Sequence, residues 1–193
     1  VLAWGGVAQE IPAGAWEIPA MALAQNPAAR RVCVSGLGSL GLAAEFLRVP
    51  GVTVVCHERD EAFLSWVRRD GAVRAALGGP RMSFAGGDIR SFLAGRPGAF
   101  DLIVLGNPDA ETLAANRFLT REFFLAARGA LAPGGLLCLR APGGENVMGG
   151  EAAAYGAAVW RTLGSVFSRR AAAPGDEIRF FAGDSPAAPS EDG

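Results

Sequence analysis

Two periods of hydrophobicity exchange regularly along this chain. Val32-Cys33-Val34 is a continuous apolar run rich in β-branched residues, the pattern of a strand buried on both faces. From about Ser39 to Arg48 the spacing turns helical, with Leu40, Ala43, Ala44 and Leu47 on one stripe before Pro50-Gly51. Thr53-Val54-Val55-Cys56 reads as a strand again. The helix after it opens with Asp60 and Glu61 and closes with Arg68 and Arg69 before Gly71, charges that suit the helix dipole at both ends. Met82-Ser83-Phe84-Ala85 is a short third strand, Gly87-Asp88 opens a brief helix through Leu93, and Phe100 to Leu105 is a fourth strand. A helix with Leu119, Phe123, Ala126, Ala127, Ala130 and Leu131 inward is stopped by Pro133-Gly134-Gly135, and Leu136 to Leu139 is a fifth strand. A last helix, about Glu151 to Leu163, precedes two closing strands, Val166 to Arg170 and Ile178 to Ala182, around Pro174-Gly175.

This alternation predicts an α/β fold: a Rossmann-like, doubly wound, mostly parallel seven-stranded sheet. The closing strands have no helix between them and predict an antiparallel edge hairpin, which marks the class I methyltransferase type of sheet rather than the nicotinamide dehydrogenase type. Leu2-Ala3-Trp4 and Val7-Ala8-Gln9 flank Gly5-Gly6 and predict a short N-terminal β-hairpin, followed by a modest helix from Trp16 to Ala24. The expected division is a hairpin with connecting helix at 1–28, the main domain at 29–183, and a tail at 184–193. The tail, made of Pro, Ala, Ser and acid, is expected to be disordered. The chain starts at Val1 and its first residues read as the middle of something, so the expectation is a fragment or an excised domain.

In a sheet of this kind ligands sit beyond the carboxyl ends of the strands. The segments 35–41, 57–60, 86–90, 105–117 and 140–150 are therefore expected to line one cleft. Gly36-x-Gly38-x-x-Gly41 follows the first strand, and Glu58 ends the second. Gly36 permits the tight turn, Gly38 lets a ligand approach the backbone, Gly41 lets the helix lie close to the sheet, and a carboxylate at Glu58 can accept both hydroxyl protons of a ribose. A helix-packing turn is the competing reading of the glycines.

Composition narrows the partners. With 193 residues, half of them apolar, the chain has enough for one well-cored domain. A net charge of −1 without a basic block argues against nucleic acid. All 18 basic residues are arginines, which excludes Schiff-base and P-loop chemistry, since both need lysine. Cys33, Cys56 and Cys138 fall in expected strands at no metal spacing and read as buried reduced thiols of a cytoplasmic domain, with no metal. No run is long enough for a membrane helix, so no membrane insertion is expected.

Several segments, in order, resemble the successive blocks of spermidine synthases. They are Val32 to Gly38, His57-Glu58-Arg59-Asp60, Gly87-Asp88, Phe100 to Val104, Phe118-Leu119-Thr120-Arg121-Glu122-Phe123-Phe124 and Leu131-Ala132-Pro133-Gly134-Gly135. The likeness is to those spermidine-synthase-like domains that some bacterial proteins join to a membrane-transporter-like region, whose elements resemble Pro108-Asp109, Asn116-Arg117-Phe118 and Glu145-Asn146. It implies a donor of the S-adenosylmethionine kind, either that molecule or its decarboxylated form. It further implies Glu58 on the ribose with Arg59 beside it, Asp88 on the adenine amino group with Ile89 beside the ring, and Ser35, Gly36 and Gly38 in the first turn. Gln9 matches a hairpin glutamine that reaches the nucleoside from above, and Asp109, Glu145 and Asn146 fall on the substrate side. A homodimer, and attachment to a larger membrane protein, are expectations of the same kind.

The chain also departs from that family. The likeness puts Gly106 where the aspartate base belongs and Asp109 where a second acid belongs, and Ala15-Trp16-Glu17 replaces a Tyr-His-Glu element that contacts the diamine. Glycine removes no proton, and general-base help is worth about 10²- to 10⁴-fold. Asp109 is the candidate substitute, with Glu111, Glu145 and His57 behind it. Four of the residues singled out have a plain structural alternative: Asp109 a turn after Pro108, His57 a strand-end residue, Asp88 an N-cap, Glu122 a first-turn acid. Three readings stand: aminopropyl transfer to an amine or other small acceptor, methyl transfer, and a non-catalytic nucleoside-binding or regulatory domain.

Overall fold

In a computed structural model the chain is described over residues 2–4, 7–9, 16–36, 39–71, 79–106, 117–142, 150–175 and 177–184; of residues 2–4, 7–9, 117, 142 and 151 only the backbone is described. The hairpin forms from β1 (Leu2–Trp4) and β2 (Val7–Gln9), antiparallel with Trp4 opposite Val7. Helix α1 (Glu17–Gln25) leads to the main sheet.

That sheet has seven strands in the order β5-β4-β3-β6-β7-β9-β8. β3 (Arg31–Ser35), β4 (Thr53–His57), β5 (Met82–Ala85), β6 (Phe100–Leu105) and β7 (Leu131–Pro142) pair in parallel, and β9 (Glu177–Gly183) joins β7 and β8 (Arg169–Ala173) antiparallel. The fold is the expected one. Each parallel strand needs a crossover, so helices cover both faces. α1, α2 (Ser39–Leu47) and α3 (Glu61–Arg69) pack with Val32, Val34, Val54, Leu102 and Val104 in one core. α4 (Ile89–Ala94), α5 (Arg121–Ala130) and α6 (Gly150–Gly164) pack with Cys33, Ile103, Leu137 and Leu139 in the other.

Helix starts are set by capping side chains, of which Asp88 was expected from the sequence. Asp60 accepts the N–H groups of Ala62 and Phe63, Asp88 those of Arg90 and Ser91, and Thr120 that of Phe123. In the Phe-Leu-Thr-Arg-Glu-Phe-Phe block, Thr120 is thus a cap, while Phe123 and Phe124 are fully buried, each contributing about 2–3 kcal/mol.

Two boundaries differ from expectation. β7 is hydrogen-bonded from Leu131 rather than Leu136, because Pro133-Gly134-Gly135 makes an irregularity inside the strand instead of a loop before it. Gly135 has to be glycine there: a Cβ would stand 2.9 Å from the Ala132 carbonyl oxygen and 3.1 Å from that of Asp101. The first closing strand is Arg169–Ala173, not Val166 to Arg170. Val166 and Phe167 bond back to the Leu163 carbonyl and bury their side chains under the end of α6, so their apolarity belongs to the core and not to an edge strand. Asp184, expected in the tail, is held by Arg128 and by the Ser168 N–H; residues 185–193 lie outside the described residues. Among the described residues no helix is long and apolar enough to cross a membrane.

Candidate nucleoside site

The strand register aligns Ala85, His57, Ser35, Leu105 and Leu139 in one row across β5, β4, β3, β6 and β7. The next residue of each chain segment, Gly86, Glu58, Gly36, Gly106 and Arg140, forms the rim at the carboxyl ends of the strands. Backbone bonds tie this rim together: the Glu58 N–H donates to the Ala85 carbonyl at 2.9 Å, and the Gly106 N–H to the Ser35 carbonyl at 2.7 Å.

Gly36 turns the chain off β3 with φ 95°, a left-handed conformation that other residues rarely adopt, and its carbonyl accepts the Ser39 N–H at the start of α2. Glu58 Oε1 accepts the N–H groups of Arg59 at 2.7 Å and Asp60 at 3.1 Å. Those bonds fix the carboxylate on the rim and leave Oε2 available to a ligand. Arg59 itself is exposed. Asp88 is the N-cap of α4, and its Oδ1 is also 3.7 Å from Arg90 Nε.

Ser35 and Ile89 are turned inward. The Ser35 hydroxyl lies 3.2 Å from His57 Nδ1, and both residues are buried. The His57 ring packs on Phe92 of α4 with centroids 5.2 Å apart. The Ile89 side chain belongs to the second core. The three cysteines are buried thiols, as read. Burial pushes Cys56 up to about 12, partly offset by its hydrogen bond with Ser39, and pushes Cys33 and Cys138 higher still. Among the described residues no group of three or more His, Cys, Asp or Glu side chains has the arrangement of a metal site.

Gly38, Asp109, Glu111, Glu145 and Asn146, and the side chain of Gln9, lie outside the described residues. The structure brings together Gly36, Glu58 and Asp88 on neighbouring strand ends, as expected. It adds Arg140, whose Nε and Nη2 donate to the Gly106 carbonyl at 3.0 and 2.6 Å and whose Nη1 donates to Glu177 Oε2 at 2.9 Å. Sequence reasoning had only the position of Arg140 at the end of an apolar strand. Its partners come from β6 and β9, and no local pattern pairs them.

No protein-family model matches the chain. It is 34% identical over 153 residues to the polyamine aminopropyltransferase of Mycobacterium tuberculosis, an alignment of 75% of this chain and 27% of the relative. The chain therefore spans about a quarter of the length of that relative. Among solved structures, a spermidine synthase in complex with the transition-state analogue AdoDATO superposes with a TM-score of 0.64 at 19% identity, over 81% of this chain and 55% of that one. Human methyltransferase-like protein 13 in complex with SAH superposes with a TM-score of 0.59 at 19% identity, over 92% of this chain and 79% of that one. By its sequence relatives and by its seven-stranded sheet, the chain is a spermidine synthase-like domain with the class I methyltransferase type of fold.

Proposed function

We propose that the chain binds an S-adenosylmethionine-type nucleoside along the ends of β3, β4 and β5 and transfers an alkyl group from its sulfonium to a small nucleophile. The observation that carries this reading is Glu58. Its Oε1 is held by the N–H groups of Arg59 and Asp60, so its Oε2 meets ribose hydroxyls without the carboxylate first having to be ordered. Asp88 caps α4 just beyond the end of the adjacent strand, and a carboxylate at that place suits the adenine amino group. The ligands of the two structural neighbours, AdoDATO and SAH, support this choice of nucleoside.

When bound, such a donor supplies an electrophilic carbon: the acceptor lone pair forms the new bond, the carbon–sulfur bond breaks with its electron pair going to sulfur, and the acceptor proton leaves to solvent or a base. Gly106 offers no base at the rim. Its N–H is spent on Ser35 and its carbonyl on Arg140. Aminopropyl transfer to an amine therefore draws its base from elsewhere, with Asp109 the candidate. Methyl transfer to an acceptor that is already nucleophilic needs no fixed base, and the lack of a side chain at Gly106 favours that second reading.

Mass-spectrometric detection of products from S-adenosylmethionine and from its decarboxylated form, with a panel of small amines and thiols, tests the proposal. Turnover of the decarboxylated donor supports the first reading and turnover of S-adenosylmethionine alone the second. Binding without turnover of either leaves a regulatory nucleoside-binding domain.

A further inference from the structure

Arg140 stands just past the end of the ladder between β6 and β7. The pairing of those strands runs to Leu105 opposite Leu139, so the Gly106 carbonyl lies beyond the last paired row. Gly106 is buried, and a buried carbonyl left without a partner costs free energy. The Arg140 guanidinium supplies the partner twice over, with Nε at 3.0 Å and Nη2 at 2.6 Å. Its third nitrogen, Nη1, donates to Glu177 Oε2 at 2.9 Å, so the fork is held from both sides. All three nitrogens of this arginine are thus engaged within the fold, and its side chain is only 13% exposed.

The carbonyl that Arg140 holds belongs to a glycine, whose backbone is the least restrained by a side chain of its own. Gly106 also donates its N–H to the Ser35 carbonyl at 2.7 Å. With the N–H tied to β3 and the carbonyl tied to β7, both soft dihedrals of Gly106 are set from outside. The Ser35 carbonyl is in turn one end of the peptide that opens the Gly36 turn. Across a trans peptide the N–H points away from the carbonyl. With the Ser35 carbonyl turned to β6, the Gly36 N–H is directed to the β4 side, where Glu58 follows the strand end. A line of contacts therefore runs from Arg140 on β7, through the Gly106 backbone, to the first peptide of the turn on β3.

Resting on the nucleoside reading above, we propose that Arg140 is a positioning residue for the donor: it touches no ligand, and through Gly106 it holds the Ser35–Gly36 peptide in the orientation that the nucleoside meets. Donor affinity then depends on a side chain two strands away from the turn.

Calorimetric titration of the 193-residue chain with methylthioadenosine tests this on the wild type and three variants, each at a temperature where its melting curve shows it folded. Arg140→Met keeps an apolar stem and removes the donors. It is expected to lose about tenfold in affinity, within the range for coupling through a network of contacts. Arg140→Lys keeps one charged donor group and is expected to lose about threefold. Asp101→Asn weakens the fold at the opposite end of the sheet and is expected to stay within about twofold of wild type. A merely structural Arg140 would give losses that follow stability, with Asp101→Asn matching Arg140→Met. That pattern, or an Arg140→Met affinity within about twofold of wild type, overturns the proposal. If Arg140→Met does not fold, Arg140→Lys decides: a loss that Asp101→Asn does not share supports the proposal, and wild-type affinity overturns it. If methylthioadenosine fails to bind the wild type, the nucleoside reading falls and takes this one with it. If it binds and the Arg140 variants bind as well, this proposal falls alone.

Discussion

Ser35 and His57, the last residues of two neighbouring parallel strands, face each other across the ladder with Oγ and Nδ1 3.2 Å apart. The contact lies beneath the turn at Gly36, so the hydroxyl nearest the proposed donor is turned into the sheet. Ser35→Ala is expected to lower stability by about 1–3 kcal/mol, the cost of removing one partner of a buried polar pair. Donor affinity, measured by titration at a temperature where the variant is folded, is expected to change by less than about threefold.

Asp88 caps α4 and is proposed to hold the nucleoside, two roles that substitution separates. Asp88→Ala removes the α4 cap and is expected to cost about 1 kcal/mol of stability. Asp88→Ser restores a capping oxygen and most of that stability, yet it returns no carboxylate to the nucleoside. Thermal melts with and without methylthioadenosine check this: Asp88→Ser recovers the apo midpoint and not the ligand-induced rise.

Asp101 shows why a motif reads as function and acts as structure. Burial alone would raise its carboxyl, but hydrogen bonds from the Arg31 guanidinium and from the N–H groups of Arg30 and Arg31 outweigh burial and hold it below the usual carboxylate range. The aspartate in Phe100-Asp101-Leu102-Ile103-Val104 thereby pins the start of β3 to the start of β6, at the end of the sheet away from the rim. Because the folded-state value is depressed, the stabilisation is full above the ordinary range near pH 4 and is lost as the pH falls through the lower folded value. Asp101→Asn is expected to cost about 1–3 kcal/mol at pH 7, with the gap to wild type narrowing in melts as the pH falls below the ordinary carboxylate range.

The three thiols should be inert in the native state. Cys56 is pushed up to about 12 and the other two further, so almost no thiolate exists at pH 7, and burial blocks access besides. A maleimide reagent is expected to label none of them in the folded chain within minutes and all three in denaturant. Labelling of one cysteine in the native chain would place it at the surface.

The β3–α2–β4 unit and the cap at Asp88 were legible because each is local. A buried parallel strand is apolar throughout, and a capping side chain lies within three residues of the N–H it accepts. Val166 and Phe167 misled because an apolar pair fits a strand and a helix end equally well. Ala171 and Ala172 carry little signal, since an exposed edge strand keeps only one paired side. The rim was legible as a set of loops, and Glu58 and Gly36 as its parts. The grip of Arg140 on Gly106 was not, because it depends on the irregular register of β7 against β6 and on β9 returning antiparallel beside it.

The central claim is that Glu58 holds the ribose of an S-adenosylmethionine-type nucleoside. Titration of the wild-type chain and of Glu58→Ala with S-adenosylmethionine, its decarboxylated form and methylthioadenosine tests it most directly. The account predicts that at least one ligand binds the wild type and that the variant, still folded by its melting curve, loses about 10- to 100-fold in affinity, the worth of hydrogen bonds to a charged group. Equal binding by the two chains, or no binding of any of the three to the wild type at millimolar concentration, would contradict it.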